Sequence, residues 1–222
     1  MRHHFNLTTL FVFAIMLCSH TVFAREPSPA GVVFEKNIEY SNPDEQHLQL
    51  NMARPRNGNG PFPVIVCIHG GGFRAGSREG FNGLCQQLAK HGYVAVTVSY
   101  RLAPKYPFPA AIHDVKAAVR WVRANAEKYN IDAGRVGTTG GSAGGHLAQY
   151  LGVTRGIKRF EGSGGNPSIP VTSTVSLISM APAISPNRTM PVSMQQRSCH
   201  SFWVAIWNKK NKDTLWLALC TG

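Results

Sequence analysis

Two glycine-rich motifs, each directly after a β-prone run, constrain the fold of this chain more than any other feature. The first is HGGGF at 69–73, which follows VIVCI at 64–68. The second is GGSAGG at 140–145, which follows RVGTT at 135–139. Glycine is required where a Cβ would collide with a neighbouring strand or where φ is positive. The motifs therefore predict two tight turns at the ends of strands.

The residue types within these turns indicate acyl-transfer chemistry. Ser142 stands at the centre of a G-x-S-x-G sequence, and a serine there is held in a strained turn that exposes its hydroxyl. A His-Gly-Gly-Gly turn supplies backbone N–H groups that stabilise the charge developing on a carbonyl oxygen. One such turn alone would equally fit phosphate binding or plain tight packing. Both together, in this order, indicate a nucleophile and an oxyanion hole.

Apolar periodicity predicts an α/β fold around the two motifs. Alternation at 32–40 and 47–51 predicts two antiparallel strands, and apolar or β-prone runs predict strands at 64–68, 93–100 and 136–139. Helical spacing gives three apolar stripes: Phe81, Leu84, Cys85 and Leu88; Ile112, Val115, Val119 and Val122; Ala143, Leu147 and Leu151. This order predicts a mostly parallel sheet with helices on both faces, and the two turns meet at its carboxyl edge.

The first residues are typical of an export signal. A short basic start is followed by an apolar stretch at 7–18 and by Val22-Phe23-Ala24. We interpret 1–24 as a signal peptide cleaved after Ala24, which predicts a secreted or periplasmic protein. A membrane anchor is the alternative, but the apolar stretch is too short to span a bilayer comfortably, so no stable membrane span is expected.

Charge and cysteine usage narrow the partners. The formal net charge is +12, but the basic residues are scattered rather than gathered in a stripe with aromatics, which argues against a nucleic-acid partner. An affinity for acidic polysaccharide is the alternative to a merely solvated basic exterior. The nine histidines form no metal-ligand cluster, and no metal or cofactor is expected. The spacing of Cys67, Cys85, Cys199 and Cys220 leaves their pairing open.

With these motifs, the chain resembles α/β-hydrolases of the hormone-sensitive-lipase and bacterial feruloyl and acetyl-xylan esterase (BD-FAE-like) type. HGGGF at 69–73, YRLAP at 100–104 and GGSAGGHLA at 140–148 carry the resemblance, which covers roughly 32–167. It implies an α/β-hydrolase core over 25–167. It also implies a serine carboxylesterase acting on a small-molecule or carbohydrate-linked ester.

The resemblance assigns part of a catalytic site. It implies that Ser142 is the nucleophile and that the N–H groups of Gly71, Gly72 and Ala143 form the oxyanion hole. In this fold an acid and then a histidine follow the serine along the chain.

The sequence departs from that pattern after Ser142. The histidines there are His146 and His200, and the acidic residues are Glu161 and Asp213, with no histidine after Asp213. Glu161 comes too early to match the family's acid, and His146 is expected to be structural, directed along its helix rather than over the pocket. The acid and base of the triad therefore stay unassigned.

The segment 168–222 is atypical of the fold. Residues 201–212 have no clean period. In a shifted reading frame, 199–208 permits Pro-Phe-x-Leu-Gly-Gly-Asn-Leu-Glu and 178–185 permits Phe-Tyr-Gly-Pro-Ser-Asp-Phe. Both strings resemble family segments between the nucleophile helix and the acid. Our hypothesis is that this tail is translated out of frame, so that the fold lacks its last strands and helices; a divergent natural C-terminus is the alternative.

The two interpretations of the tail lead to different functions. An intact site would make the protein an exported ester hydrolase, and an amidase or peptidase on the same fold is a weaker option. Without acid and base it would be an inactive fragment or a non-catalytic binding module.

The reading-frame hypothesis has a direct test. Sequencing the gene across codons 160–180 in an independent isolate should reveal an inserted or deleted base relative to the present frame. An identical, uninterrupted frame would contradict the hypothesis and favour a divergent natural C-terminus.

Overall fold

The computed structural model describes residues 29–171 in full and the backbone of 175–179, 201–208 and 213–220. The predicted signal peptide at 1–24 lies outside the described residues. In the described part, no helix is long and apolar enough to cross a membrane.

Six strands form one mixed sheet. They are β1 (Val32–Ser41), β2 (Leu48–Pro55), β3 (Phe62–Ile68), β4 (Val94–Val98), β5 (Ile131–Gly141) and β6 (Val175–Ser179). Their order across the sheet is β1-β2-β4-β3-β5-β6. The pairs β1/β2 and β2/β4 are antiparallel, whereas β3 is parallel to β4 and β5, and β5 is parallel to β6.

Four α-helices connect the strands: α1 (Asn82–Lys90), α2 (Ala110–Ala124), α3 (Ala143–Val153) and the short α4 (Lys158–Glu161). They cover both faces of the sheet. Successive side chains of a strand point to opposite faces, so apolar residues at successive positions need a helix on each face. In β3, Val64, Val66 and Ile68 pack with the apolar stripes of α2 and α3. Ile65 and Cys67 pack with α1 on the other face.

The α/β-hydrolase fold predicted from the sequence is confirmed, with small differences at element ends. The strand predicted at 93–100 is shorter, at Val94–Val98. The strand predicted at 136–139 is longer and starts at Ile131. Ile131 pairs with Phe62 before a register irregularity, so a neighbouring strand recruits residues whose own pattern predicts no strand.

The register of β3 and β5 positions the two glycine turns. The strands are parallel neighbours, and Ile68 at the end of β3 is opposite Gly140 in β5. The segments that follow, 69–73 and 141–145, therefore leave the same edge of the sheet side by side. Strand order also reverses here, since β4 lies on one side of β3 and β5 on the other. Such a reversal opens a crevice at the carboxyl ends of the strands.

The tail contributes backbone to the structure. Strand β6 extends the sheet beyond β5, with Leu177 opposite Thr139. A separate antiparallel hairpin is formed by β7 (Ser201–Asn208) and β8 (Asp213–Cys220). An unpaired strand edge pairs readily with any β-prone segment, so this pairing does not depend on a particular side-chain pattern. The domain boundary at 167 and the reading-frame hypothesis stay predictions.

Cys67 in β3 and Cys85 in α1 are both buried free thiols. Burial, together with the neighbouring Cys67, raises the pKa of the Cys85 thiol well above its ordinary value. The Cys85 thiol therefore stays protonated, and both side chains pack as small apolar groups. The side chains of Cys199 and Cys220 lie outside the described residues.

A buried ion pair ties the loop after β4 to helix α2. Asp114 is 2% exposed, and its carboxylate accepts hydrogen bonds from the Arg101 backbone N–H at 2.8 Å and from the Arg101 guanidinium at 2.8–3.0 Å. Arg101 also contacts the exposed Asp44. Burial raises the pKa of Asp114 despite these bonds. The pair therefore fixes the loop after β4, which lies next to the HGGGF turn in the folded chain, to helix α2.

We expect Asp114→Ala to lower the free energy of unfolding by about 3 kcal/mol, because it leaves the largely buried Arg101 without its main partner. The matched control is Asp132→Ala, which removes an exposed pair with Arg135 and should cost about 1 kcal/mol or less. Denaturant unfolding of both variants measures the difference. Equal losses would contradict a structural role for the buried pair.

Candidate active site

Ser142 occupies a strained turn between β5 and α3. Its φ of 51° and ψ of −118° lie outside the regions that non-glycine residues favour. The side chain is exposed, and the Ser142 carbonyl accepts the His146 backbone N–H at 3.1 Å, which starts α3. The hydroxyl has no hydrogen-bond partner among the described residues. The geometry is therefore the strained, outward-facing one predicted from the G-x-S-x-G sequence.

Glycine residues, which have no Cβ, allow the two turns to contact each other. A Cβ placed on Gly144 would lie 2.0 Å from the Ile68 carbonyl oxygen, and one on Gly140 would lie 2.7 Å from the same atom. A Cβ on Gly70 would lie 3.3 Å from the Ser142 Cβ. Real Cβ atoms essentially never lie within 3.0 Å of another heavy atom, so glycine at 140 and 144 allows helix α3 to begin directly against the end of β3. This packing brings the first turn next to Ser142.

Gly71 and Gly72 form the exposed part of the first turn. Their φ values are +114° and +61°, and a Cβ on Gly71 would lie 2.1 Å from the Ala75 carbonyl oxygen. The Gly71 carbonyl accepts the N–H groups of Arg74 and Ala75, each at 3.0 Å. Within the described part of the chain, the N–H groups of Gly71, Gly72 and Ala143 donate to no other group. These donors are available to a ligand.

His69 stabilises the first turn from its buried side. It is buried, its ring stacks on Tyr100 with centroids 4.3 Å apart, and the Tyr100 hydroxyl donates to the His69 carbonyl at 3.0 Å. Its Nδ1–H donates to the Gly70 carbonyl at 2.8 Å. Since a peptide C=O and the next N–H point in opposite directions, this bond also sets the direction of the Gly71 N–H.

Burial determines the protonation of this pair. It lowers the pKa of His69 below its ordinary value, so the ring stays neutral near pH 7 and keeps one N–H for the Gly70 carbonyl. Burial also raises the pKa of Tyr100 to about 12, so its hydroxyl stays a donor. Neither group titrates near neutral pH, which suits a scaffold role.

An apolar cavity of about 350 Å³ lies beside the turns. Its lining comes from the first turn, the loop after β4 and helices α2 and α3: Gly72, Phe73, Arg74, Arg101, Ala103, Tyr106, Phe108, Pro109, Ala111, Ile112, His146, Leu147 and Tyr150. It therefore runs from one of the predicted oxyanion glycines to the helix that starts at Ser142. An apolar cavity next to a polar turn is the usual form of a small-molecule site.

The expectation that His146 is directed away from the pocket was wrong. His146 is exposed, lines the cavity and contacts the rings of Phe73 at 6.0 Å and Tyr150 at 5.0 Å between centroids. It lies one turn after Ser142 on the same face of α3, which faces the cavity because the opposite face packs on the sheet. The spacing of four residues from Ser142 was the signal that could have indicated this.

No acid and base partner for Ser142 occurs among the described side chains. Glu161 pairs with the buried Lys116 at 2.7 Å and holds α4 to α2. Two other histidines bind backbone carbonyls on the surface, His91 with Gln87 and His113 with Arg159. His200 and the Asp213 side chain lie outside the described residues. In the described residues no group of three potential metal ligands comes together either.

Comparisons with known proteins identify relatives of this arrangement. The sequence profile of the BD-FAE family matches residues 50–214, which is more than half of the chain. The esterase LipI of Mycobacterium tuberculosis is 40% identical over 108 residues, covering 48% of this chain and 32% of the relative. The ethyl acetate hydrolase of Pseudomonas putida is 42% identical over 118 residues, covering 52% and 37%. The chain thus spans about a third of the curated relatives it matches.

A solved structure supports the same relationship. Esterase 2 of Thermogutta terrifontis, phosphonylated by cyclosarin, superimposes with a TM-score of 0.59 at 27% identity. The superposition covers 68% of this chain and 56% of the esterase. The shared part is the sheet and its helices.

Gly144→Ala tests the close contact between the turns. We expect a loss of about 3 kcal/mol in the free energy of unfolding, because the added methyl meets backbone atoms that cannot rotate away. Gly83→Ala is the control: it lies in α1 with nothing within 4 Å, and the change should stabilise by about 0.5–1 kcal/mol. Denaturant unfolding distinguishes the two. A Gly144→Ala protein as stable as Gly83→Ala would contradict the packing described above.

The neutral state of His69 predicts a pH dependence. Unfolded His69 takes up a proton below pH about 6.5, whereas the folded ring resists it, so stability falls as the pH is lowered from about 7.5 to about 5. His69→Phe keeps a stacked ring but cannot bind a proton. Its stability should be lower at neutral pH and should fall less steeply over that range. Equal slopes by denaturant unfolding would count against the burial effect.

Proposed function

This chain belongs to the BD-FAE family, and from that premise we propose that it is a carboxylic-ester hydrolase with Ser142 as its nucleophile. The single observation that carries the proposal is the exposed Ser142 at φ 51°, packed against a turn whose N–H groups are free to bind a ligand. The names of the relatives, esterase and ethyl acetate hydrolase, support the same reaction class.

The proposed reaction has two halves. The Ser142 oxygen attacks the ester carbonyl carbon, and the carbonyl oxygen becomes an oxyanion that accepts hydrogen bonds from the N–H groups of Gly71, Gly72 and Ala143. Collapse of this intermediate breaks the C–O bond and releases the alcohol, leaving an acyl group on Ser142. Water then attacks the acyl-enzyme through a second oxyanion and releases the acid. The donors are already in place before the substrate arrives, so little reorganisation is needed.

Each half requires a base that takes the proton of Ser142 or of water and then gives it to the departing alcohol or back to the Ser142 oxygen. No such base lies within hydrogen-bond distance of Ser142 among the described residues, so it must come from elsewhere in the protein. If the tail does not supply this base, catalysis depends on the oxyanion hole and on substrate binding alone. In serine proteases these leave a residual acceleration of about 10³- to 10⁴-fold over water. A non-catalytic module with the same fold is the alternative function, and the lack of a paired base favours it for this chain.

Substrate class and compartment belong to the same proposal. The apolar cavity beside Gly72 suits a small acyl or alcohol group, and a carbohydrate-linked ester is the extension that the family resemblance suggests. The export signal interpreted at 1–24 supports a secreted or periplasmic enzyme that meets such esters outside the cytoplasm.

Ser142→Ala should abolish both covalent labelling by an organophosphate and turnover of a short p-nitrophenyl ester, while leaving the unfolding midpoint nearly unchanged. Mass spectrometry of the wild-type chain should place the label on the Ser142 peptide. Ser168→Ala, which removes another exposed hydroxyl, is the control and should behave as wild type.

The rate distinguishes the two forms of the proposal. We expect the 222-residue chain to hydrolyse the ester slowly, since its described part holds no base. Ordinary esterase rates that vanish in Ser142→Ala would mean that the tail supplies the acid and base. Turnover or labelling that persists in Ser142→Ala would contradict Ser142 as the nucleophile.

A further inference from the structure

The cavity beside the glycine turns carries a positive charge that has no acidic partner among the described residues. Among the described residues that line it there are two arginines, Arg74 and Arg101, and no carboxylate. Arg101 is neutralised from behind, since its guanidinium binds the buried Asp114 at 2.8 Å and also Asp44. Arg74 is exposed, and within the described part of the chain no acidic side chain lies within ion-pair distance of it.

Backbone hydrogen bonds fix the position of the Arg74 main chain. Its N–H donates to the Gly71 carbonyl at 3.0 Å, and the next residue, Ala75, donates to the same carbonyl. The preceding residue, Phe73, accepts the Ala103 N–H at 2.8 Å, which joins this turn to the loop after β4. Arg74 is therefore attached to the rigid turn that bears the proposed oxyanion donors. Arg74 and Gly72 line the same cavity, so a ligand whose carbonyl binds those donors would extend into the cavity that Arg74 lines.

The rest of the cavity is apolar and aromatic. Phe73, Tyr106, Phe108 and Tyr150 form its walls with Ile112. Phe108 is 67% exposed although it is a large apolar residue, and its ring is 6.4 Å from that of Tyr150. A further cation, the Lys105 ammonium, lies 5.0 Å from the centroid of the Tyr106 ring. Walls of low polarity weaken the screening of a nearby charge by water, so a lone cation there attracts an anion more strongly than on an open surface.

We propose that Arg74 selects esters that also carry a carboxylate, with an apolar or aromatic body in the cavity and the carboxylate on the Arg74 guanidinium. This inference rests on the proposed ester-hydrolase function only in that the ligand is an ester substrate. The cavity and its charge exist whether or not Ser142 reacts. It makes Arg74 a specificity-determining residue. A guanidinium suits the task because it offers paired N–H donors to the two carboxylate oxygens.

Equilibrium binding tests this without any turnover. The probes are 4-phenylbutanoate and its uncharged amide, 4-phenylbutanamide, which differ only in the charged group. Titration of the full chain by calorimetry at neutral pH should give a three- to tenfold lower Kd for the carboxylate, about the value of one partly screened charged contact. Arg74→Gln should abolish this preference and leave the Kd of the amide unchanged. Arg74→Lys should keep part of it, since the charge remains.

Arg155→Gln is the matched control, because Arg155 is also an exposed arginine but lies outside the cavity, on the turn after α3. It should bind both probes as wild type does. High salt should reduce the preference for the carboxylate in wild type and have no such effect in Arg74→Gln. Thermal unfolding of each variant verifies that the fold is kept.

The outcomes separate this inference from the proposed reaction. Equal affinity for the two probes, failure of both to bind, or a preference that survives Arg74→Gln would overturn the role of Arg74. If the preference depends on Arg74 while Ser142 resists labelling, the anion selectivity stands and the ester-hydrolase proposal fails. If Ser142 is labelled and the preference is absent, the reaction stands and Arg74 selects nothing.

Discussion

The contact between the two glycine turns is the constraint on which the rest of the site depends. Helix α3 can begin against the end of β3 because Gly144 has no Cβ. A Cβ at this position would lie 2.0 Å from the Ile68 carbonyl oxygen. The parallel register of Ile68 with Gly140 aligns the two strands so that the turns leave the sheet together. Without either condition, Ser142 would be separated from the free N–H groups beside it. The strain at Ser142 is tolerated because packing on both sides determines its backbone.

The short segment after β4 supports this contact from two directions. Tyr100 stacks on His69 and binds its carbonyl, which holds the first turn from below. The next residue, Arg101, reaches the buried Asp114 on helix α2 and lines the cavity with the other side of its side chain. Two adjacent residues thus connect the first glycine turn, the cavity and the helix behind it. A change in either would affect the site through positions that touch no reacting atom.

The direction of a side chain in space, which residue type does not determine, decided two features of the site that the sequence did not predict. His146 was expected to be structural because it follows Ser142 on the same helix, but that helix turns the face of His146 toward the cavity. The free charge of Arg74 gave no signal in the sequence either. Arg101, which lines the same cavity, is matched by Asp44 and Asp114, which lie elsewhere in the sequence, so the two arginines could be told apart only after folding.

What the sequence by itself determined is the set of local conformations and their order. The motifs at 69–73 and 140–145 require particular backbone angles, and the apolar periods require strands and helices, because both depend on residues close together in the chain. The tertiary structure alone decided which N–H groups stay free and which charges are neutralised. It also decided that Ser142 has no base beside it among the described residues. Such properties belong to distances between residues far apart in the chain, which packing sets and no local pattern encodes.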